Sequence, residues 1–307
     1  MVQLDATTQE VLNRISEEFA QKGAYNLRQN GVALCHGDSE HIKIRKKEDK
    51  PGIDILIDGD TKGERVFIPV VVSVSGMTDL VYNDFYVADG ADVTIVAGCG
   101  IHNSGALDSQ HDGIHRFFVG RNAKVKYVEK HYGTGEGYGK RILNPVTEVY
   151  QEEGSYVEME MVQIKGVDST IRTSKAVLSK GAKLVIKERL MTHGKQKATS
   201  IYEVELKGEF SNADVISRSV AKDYSNQSFE ANIIGANICN GHAECDAIIM
   251  DQARVLSIPK LDARHVDAML IHEAAIGKIA GEQLIKLMTL GLTEKEAEEC
   301  IVNGFLK

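Results

Sequence analysis

One short pattern recurs along the middle of this chain and limits the folds open to it. Gly90-Ala91-Asp92-Val93-Thr94-Ile95 is echoed by Asn122-Ala123-Lys124-Val125-Lys126-Tyr127, by Gly154-Ser155-Tyr156-Val157-Glu158-Met159 and by Gly181-Ala182-Lys183-Leu184-Val185-Ile186. A looser copy is Asn212-Ala213-Asp214-Val215-Ile216-Ser217. From the small residues at 91, 123, 155, 182 and 213, the steps are 32, 32, 27 and 31 residues. Recurrence at such a period is the mark of stacked coils, although the steps are too uneven for a strict solenoid. Each copy supplies a turn residue, then a small residue, then alternating apolar residues, which is what a β-helix coil needs to turn a corner and bury one face. The expected class is mainly β, a β-helix core over residues 31–270. An ordinary β-sandwich with a similar hairpin rhythm is the alternative.

The ends read differently. Residues 1–30 form an N-terminal helical segment: Thr7 and Glu10 make a capping box, Val11, Leu12, Ile15 and Phe19 share a face, and Gly23 ends the helix. At the other end, residues 271–307 form a small helical segment. Glu282 to Leu290 is helical in pattern, Gly291 stands at the C-cap, and Thr293 with Glu296 makes another capping box. Ala297, Cys300, Ile301 and Phe305 continue an apolar stripe, and short helices of this kind more often pack on their own domain than on a partner.

Composition narrows the function classes. A net charge of −8 argues against nucleic acid as the main partner, since phosphate neutralisation needs a basic excess. No apolar run of about 18 residues occurs, and the opening MVQLDATTQE lacks a basic region followed by an apolar one, so neither membrane insertion nor secretion is expected. The 5 cysteines, Cys35, Cys99, Cys239, Cys245 and Cys300, are scattered and odd in number, which suits reduced thiols in the cytoplasm.

Soft and borderline metal donors gather in Cys239-Asn240-Gly241-His242-Ala243-Glu244-Cys245. In an extended strand Cys239 and Cys245 share a face and His242 takes the other, but the two thiols are too far apart for one metal. His272-Glu273 follows Cys245 by about one coil, which would bring the pair close to it. Against this, a lone buried Cys or His is ordinarily a packed core residue. Other motifs fail. His272-Glu273 lacks the second His of a zincin where Ile276 stands, Gly133 to Gly139 has Tyr138 in place of the third Gly of a dinucleotide loop, and no P-loop occurs. Cys99 and His102 lack a second ligand pair, and the basic run Lys43 to Lys47 reads as a solvated hairpin.

The last third is more specific. Cys245-Asp246-Ala247-Ile248-Ile249, Ala268 through Ile279 with its central His272-Glu273-Ala274-Ala275, Glu282-Gln283-Leu284, Gly291-Leu292-Thr293-Glu294-Lys295-Glu296-Ala297 and Ile301-Val302-Asn303-Gly304-Phe305 together resemble the signature of the SufB/SufD family. Val96-Ala97-Gly98-Cys99 and Asn226-Gln227-Ser228-Phe229 extend the resemblance upstream, to about residue 70. It implies a right-handed parallel β-helix flanked by helices. It implies a non-catalytic, dimeric scaffold for a transient iron–sulfur cluster, with a SufC-type ATPase docked through residues 282–305. Cys245, His272 and Glu273 match the family's candidate cluster ligands; Cys239 and His242 are weaker candidates.

The chain departs from typical SufB members in three ways: Ile271 replaces an acidic residue, no cysteine stands around Ser174-Lys175-Ala176-Val177, and the N-terminal part is short. Sulfur would then arrive by another route, such as sulfide, and the chain would pair with itself or with a paralogue. A SufD-like structural partner without its own cluster, and a soluble adaptor of an ABC-type ATPase, are the rival readings.

Overall fold

A computed structural model describes residues 4–16 and 23–307. It is mainly β, a parallel β-solenoid of about 8 turns with one helix before it and two after it. Two sheets form the walls. One runs from the strand Val32–Gly37 through Asp92–His102, Lys124–Thr134, Tyr156–Lys165, Lys183–Thr192, Ser211–Ala221 and Cys239–Ile249 to Ala268–Gly277. The other runs from Ile42–Lys46 through Thr78–Val87, Ser109–Val119, Ser169–Leu178, Lys197–Leu206 and Asn226–Gly235 to Arg254–Ala263. Strands begin at Ala24 and continue to Gly277, so the β body extends beyond the expected 31–270 at both ends.

The repeat motif makes the corners. Gly90, Asn122, Gly154 and Gly181 all have positive φ, and the small residue after each is fully buried. The fifth copy differs from its sequence reading. Lys183 pairs with Asn212, which makes Ser211 the small corner residue and Phe210, at φ 59, the turn residue. The register continues from Ser211 to Cys239 and then to Ala268. Nothing in phenylalanine's propensity marks a left-handed turn, whereas Asn212-Ala213 imitates one while lying inside a strand.

Inward residues alternate with outward ones, and most inward ones are aliphatic. Phe85 stacks on Phe117 at 4.5 Å, and Tyr127 meets Phe117 edge-on. Halfway along, the core turns polar. Arg172 is buried between Glu129, to which it donates a hydrogen bond, and Glu188, 3.6 Å away. Glu188 accepts from the Ser200 hydroxyl at 2.5 Å and from the Ser217 hydroxyl at 2.8 Å. Burial alone would raise the Glu129 pKa, but the Arg172 guanidinium together with His131 and His115 outweighs it and holds the carboxyl well below its usual range.

The first helix, α1, spans Ala6–Ile15 and is capped by Asp5, whose carboxylate accepts the Thr8 N–H at 2.8 Å. This replaces the expected Thr7–Glu10 box; Phe19 lies outside the described residues. Helix α1 lies on the strand Asp92–His102, where a Cβ at Gly100 would stand 2.1 Å from Val11 and one at Gly98 would stand 2.6 Å from the Ile15 carbonyl. The glycine run also has a packing purpose. Side chains at Gly135, Gly137 and Gly139 would strike the backbone of Asn103, Gly105 and Leu107, so two loops of successive turns stack directly. Lys47 is not solvated: its ammonium is buried against Asp84 at 2.7 Å.

After the last strand come α2, Gly281–Thr289, and α3, Glu294–Phe305. The Thr293–Glu296 capping box is present. Helix α3 covers the solenoid wall with Val302 and Leu306, which meet Val220, while Cys300 faces outward rather than joining the stripe. Helix α2 buries no residue, and Ile285, Met288 and Leu290 are exposed.

Candidate functional site

The donors named from the sequence collect on the last two strands of one sheet, Cys239–Ile249 and Ala268–Gly277. These pair in parallel with a register of Cys239 to Ala268, Ala243 to His272, Glu244 to Glu273 and Cys245 to Ala274. Two residues per pleat then sort the side chains. Cys239, Gly241, Ala243 and Cys245 point into the solenoid, and Leu270 opposite Gly241 packs against the same core. Leu270 and His272 therefore share the inward face, while Ile271 and Glu273 look out.

Cys245 is 1% exposed. Its lateral neighbours are Ser217 and Ala274. Burial raises its pKa to about 11, so at neutral pH it is a thiol. His272 stands one diagonal away on the same face, about 8 Å between Cα atoms by strand geometry. Its Nδ1 is buried and has no hydrogen-bond partner. A buried imidazole nitrogen left unpaired is costly; what it lacks is an acceptor or a donor according to its tautomer, or a metal in the tautomer that leaves it unprotonated. The thiol and the imidazole thus suit soft or borderline iron chemistry, whereas Glu273 lies across the sheet from them.

Cys239 has a different role. It fills the small corner position held in earlier turns by Ala91, Ala123, Ser155, Ala182 and Ser211, and its sulfur would lie 3.1 Å from a Cβ at Gly235. Packing accounts for it. Cys99 likewise joins a core cluster with Val70 and Ile101, and His102 faces the other way, so these two cannot share a metal.

On the outer face, His242 Nδ1 lies 3.4 Å from Asp214 and its Nε2 3.8 Å from Glu273. Donor atoms of His242, Glu244 and Glu273 all lie within 4.8 Å of one another. Burial and the neighbouring Asp246 carboxylate raise the Glu244 pKa. Glu244 and Asp214 were not singled out from the sequence. The signal was present, because His242 and Glu244 share a strand face and the strand register sets Glu273 beside Glu244, but that register is visible only once the corners are counted correctly.

The two final strands, Arg254–Ala263 and Ala268–Gly277, close the solenoid, each paired on one edge only among the described residues. Their outward side chains include Leu256, Met269 and Ile271, while Leu261 and Ile276 stand on the inward face in register with Ile233 and Ala247; all five are exposed.

The family model described as "SUF system FeS cluster assembly, SufBD core domain" matches residues 80–305. Among curated proteins, an iron–sulfur cluster assembly SufBD family protein of Archaeoglobus fulgidus is 31% identical over 230 residues, covering 74% of this chain and 60% of the relative. One from Methanocaldococcus jannaschii is 27% identical over 287 residues, covering 91% of this chain and 89% of the relative. The chain thus spans 60% of the first relative's length and 89% of the second's. The match takes in the solenoid turns from residue 80, both donor groups and the two final helices, and on that breadth the chain belongs to the SufB/SufD family.

Proposed function

We propose that this chain is a scaffold subunit of iron–sulfur cluster assembly, on which a nascent cluster is built as cargo and from which it leaves. The observation that carries the reading is the pairing, on one inward face near the open end, of the Cys245 thiol with the unpartnered Nδ1 of His272. Glu273 joins such a shell only if the end strands rearrange or a second subunit brings its own face up. A second subunit fits the open edges of the two final strands and the outward Leu256, Met269 and Ile271, and either a second copy or a paralogue supplies matching strands. Helix α2, with Ile285, Met288 and Leu290 exposed, offers the face for a SufC-type ATPase within residues 282–305. ATP hydrolysis then belongs to the partner, and this chain needs no catalytic group. Five free cysteines fit a reducing compartment such as the cytoplasm, and no helix among the described residues is long and apolar enough to cross a membrane.

One observation favours a second reading, that of a SufD-like structural subunit: the Cys245 thiol is buried and protonated in the free chain. Anaerobic reconstitution with iron and sulfide, followed by visible absorption and Mössbauer spectroscopy, separates the two. The scaffold reading expects a cluster in the wild type that Cys245→Ser and His272→Ala lose or loosen. A wild type that holds no cluster even with the ATPase present makes the chain a structural subunit.

A further inference from the structure

The outer face of the same two strands carries an arrangement that the Cys245–His272 pair does not use. We propose that His242, Glu244 and Glu273 form a site for a borderline divalent cation of the Fe2+, Co2+ or Zn2+ class, separate from Cys245 and on the opposite side of the sheet.

Three features support it. First, one nitrogen and two carboxylates converge within 4.8 Å from two adjacent strands, so the spacing is set by backbone register rather than by chance rotamers. Donors on a common shell at about 2.1 Å stand about 3–3.5 Å apart, so the side chains close by only about an ångström. Second, the imidazole is already oriented. Asp214, on the preceding strand and in register with His242, lies 3.4 Å from Nδ1, which leaves Nε2 turned toward Glu273. A carboxylate on the far ring nitrogen fixes tautomer and direction, as in carboxylate–histidine–metal triads. Third, the charge is unbalanced. Asp214, Glu244 and Glu273 surround one imidazole, and beyond Glu244 lie Asp246 and, in register with it, Arg218 as the cationic neighbour. Nitrogen and oxygen donors of this kind select borderline divalent ions over Cu+ or a sulfur-ligated cluster. The site therefore takes free metal, not a preformed cluster, and Glu273 belongs with His242 rather than with Cys245 in the free chain.

The proposal stands apart from the scaffold reading, and its test is arranged so that the two fail separately. Co2+ is titrated anaerobically into the purified chain and followed by its visible d–d bands, with circular dichroism to confirm that each variant is folded. One Co2+ per chain is expected, without a thiolate-to-cobalt charge-transfer band. His242→Ala and Glu273→Gln each weaken binding at least tenfold, and Asp214→Asn weakens it on the order of tenfold through loss of orientation. Cys245→Ser binds Co2+ as the wild type does, whatever it does to cluster reconstitution. Retention of wild-type affinity in both His242→Ala and Glu273→Gln, a thiolate charge-transfer band, or loss of binding in Cys245→Ser overturns the proposal. Absence of any stoichiometric Co2+ in the wild type also overturns it and leaves His242 as an ion-pair partner only.

Discussion

Alkylation of Cys245 tests the state of the inward site directly. Its pKa of about 11 stands two units above the ordinary 9.0, so near pH 8 the folded chain holds about 100-fold less thiolate at this position than the unfolded chain. A more basic thiolate is also a better nucleophile. With a Brønsted slope of about 0.4–0.5, two units return about a factor of ten, leaving a net slowing of about tenfold from ionisation alone. Burial adds to this, because the reagent reaches the sulfur only when the end strands open. The assay is timed reaction with iodoacetamide, read by peptide mass spectrometry, on the native chain and on the same chain in urea; exposed Cys300 reports that the reagent is active. The native rate at Cys245 is expected to be at least tenfold below the unfolded rate at pH 8. It should keep rising about tenfold per pH unit to pH 10, where the unfolded thiol has already levelled off. Native and unfolded rates within threefold of each other at pH 8, or a native rate flat above pH 9, would refute the burial argument. If the slowing holds, metal loading at Cys245 as the scaffold reading proposes would release a proton and require an opening of the solenoid's end.

Two further outcomes follow from the packing. Arg172→Met leaves Glu129 buried without its counter-charge and should cost about 3–5 kcal/mol in urea denaturation, with at least half recovered in the Arg172→Met, Glu129→Gln double variant. The native Glu129 pKa lies below the unfolded 4.5, so its stabilisation is full above that pH and fades beneath it; in the variant burial raises the pKa above 4.5, so the deficit is largest above that raised pKa, narrows as the pH falls through it, and narrows further below about pH 4.5. A deficit that is flat with pH would show that the guanidinium's packing matters rather than its charge. Ile285→Glu, on a side chain 63% exposed, should change stability by no more than about 0.5 kcal/mol yet abolish co-purification with a SufC-type ATPase; retained co-purification removes α2 from that interface.

The β-helix was legible because two needs of each coil have chemical signatures: positive φ selects Gly or Asn, and a sterically closed corner selects Ala or Ser. Where a corner is made by Phe210, held at φ 59 by the strands around it, that signature vanishes and the count slips. The same slip blurred the site. Residue types in Cys239–Cys245 and at His272-Glu273 were visible, but which of them meet depends on a register of 29 residues between the last two strands, and one residue either way exchanges the faces. Cys239 therefore stood out as a donor although it is a corner filler. Asp5, which caps α1, was overlooked because Thr7 and Glu10 offered a competing box at almost the same place.

The two ends of the solenoid are unlike. At the beginning, both sheets end in antiparallel hairpin strands of 6 and 5 residues, Val32–Gly37 and Ile42–Lys46, the latter carrying Lys43, Arg45 and Lys46. At the other end stand two parallel strands of 10 residues each, with Leu256, Met269 and Ile271 among their outward side chains. Short charged edges discourage further pairing, and long flat ones invite it. Growth by strand addition is therefore one-ended: once the long edges meet those of another chain, each chain presents only its blunt start. On the proposed pairing through these edges, the blunt starts would act as a stop signal against fibre growth, and the assembly would halt at two.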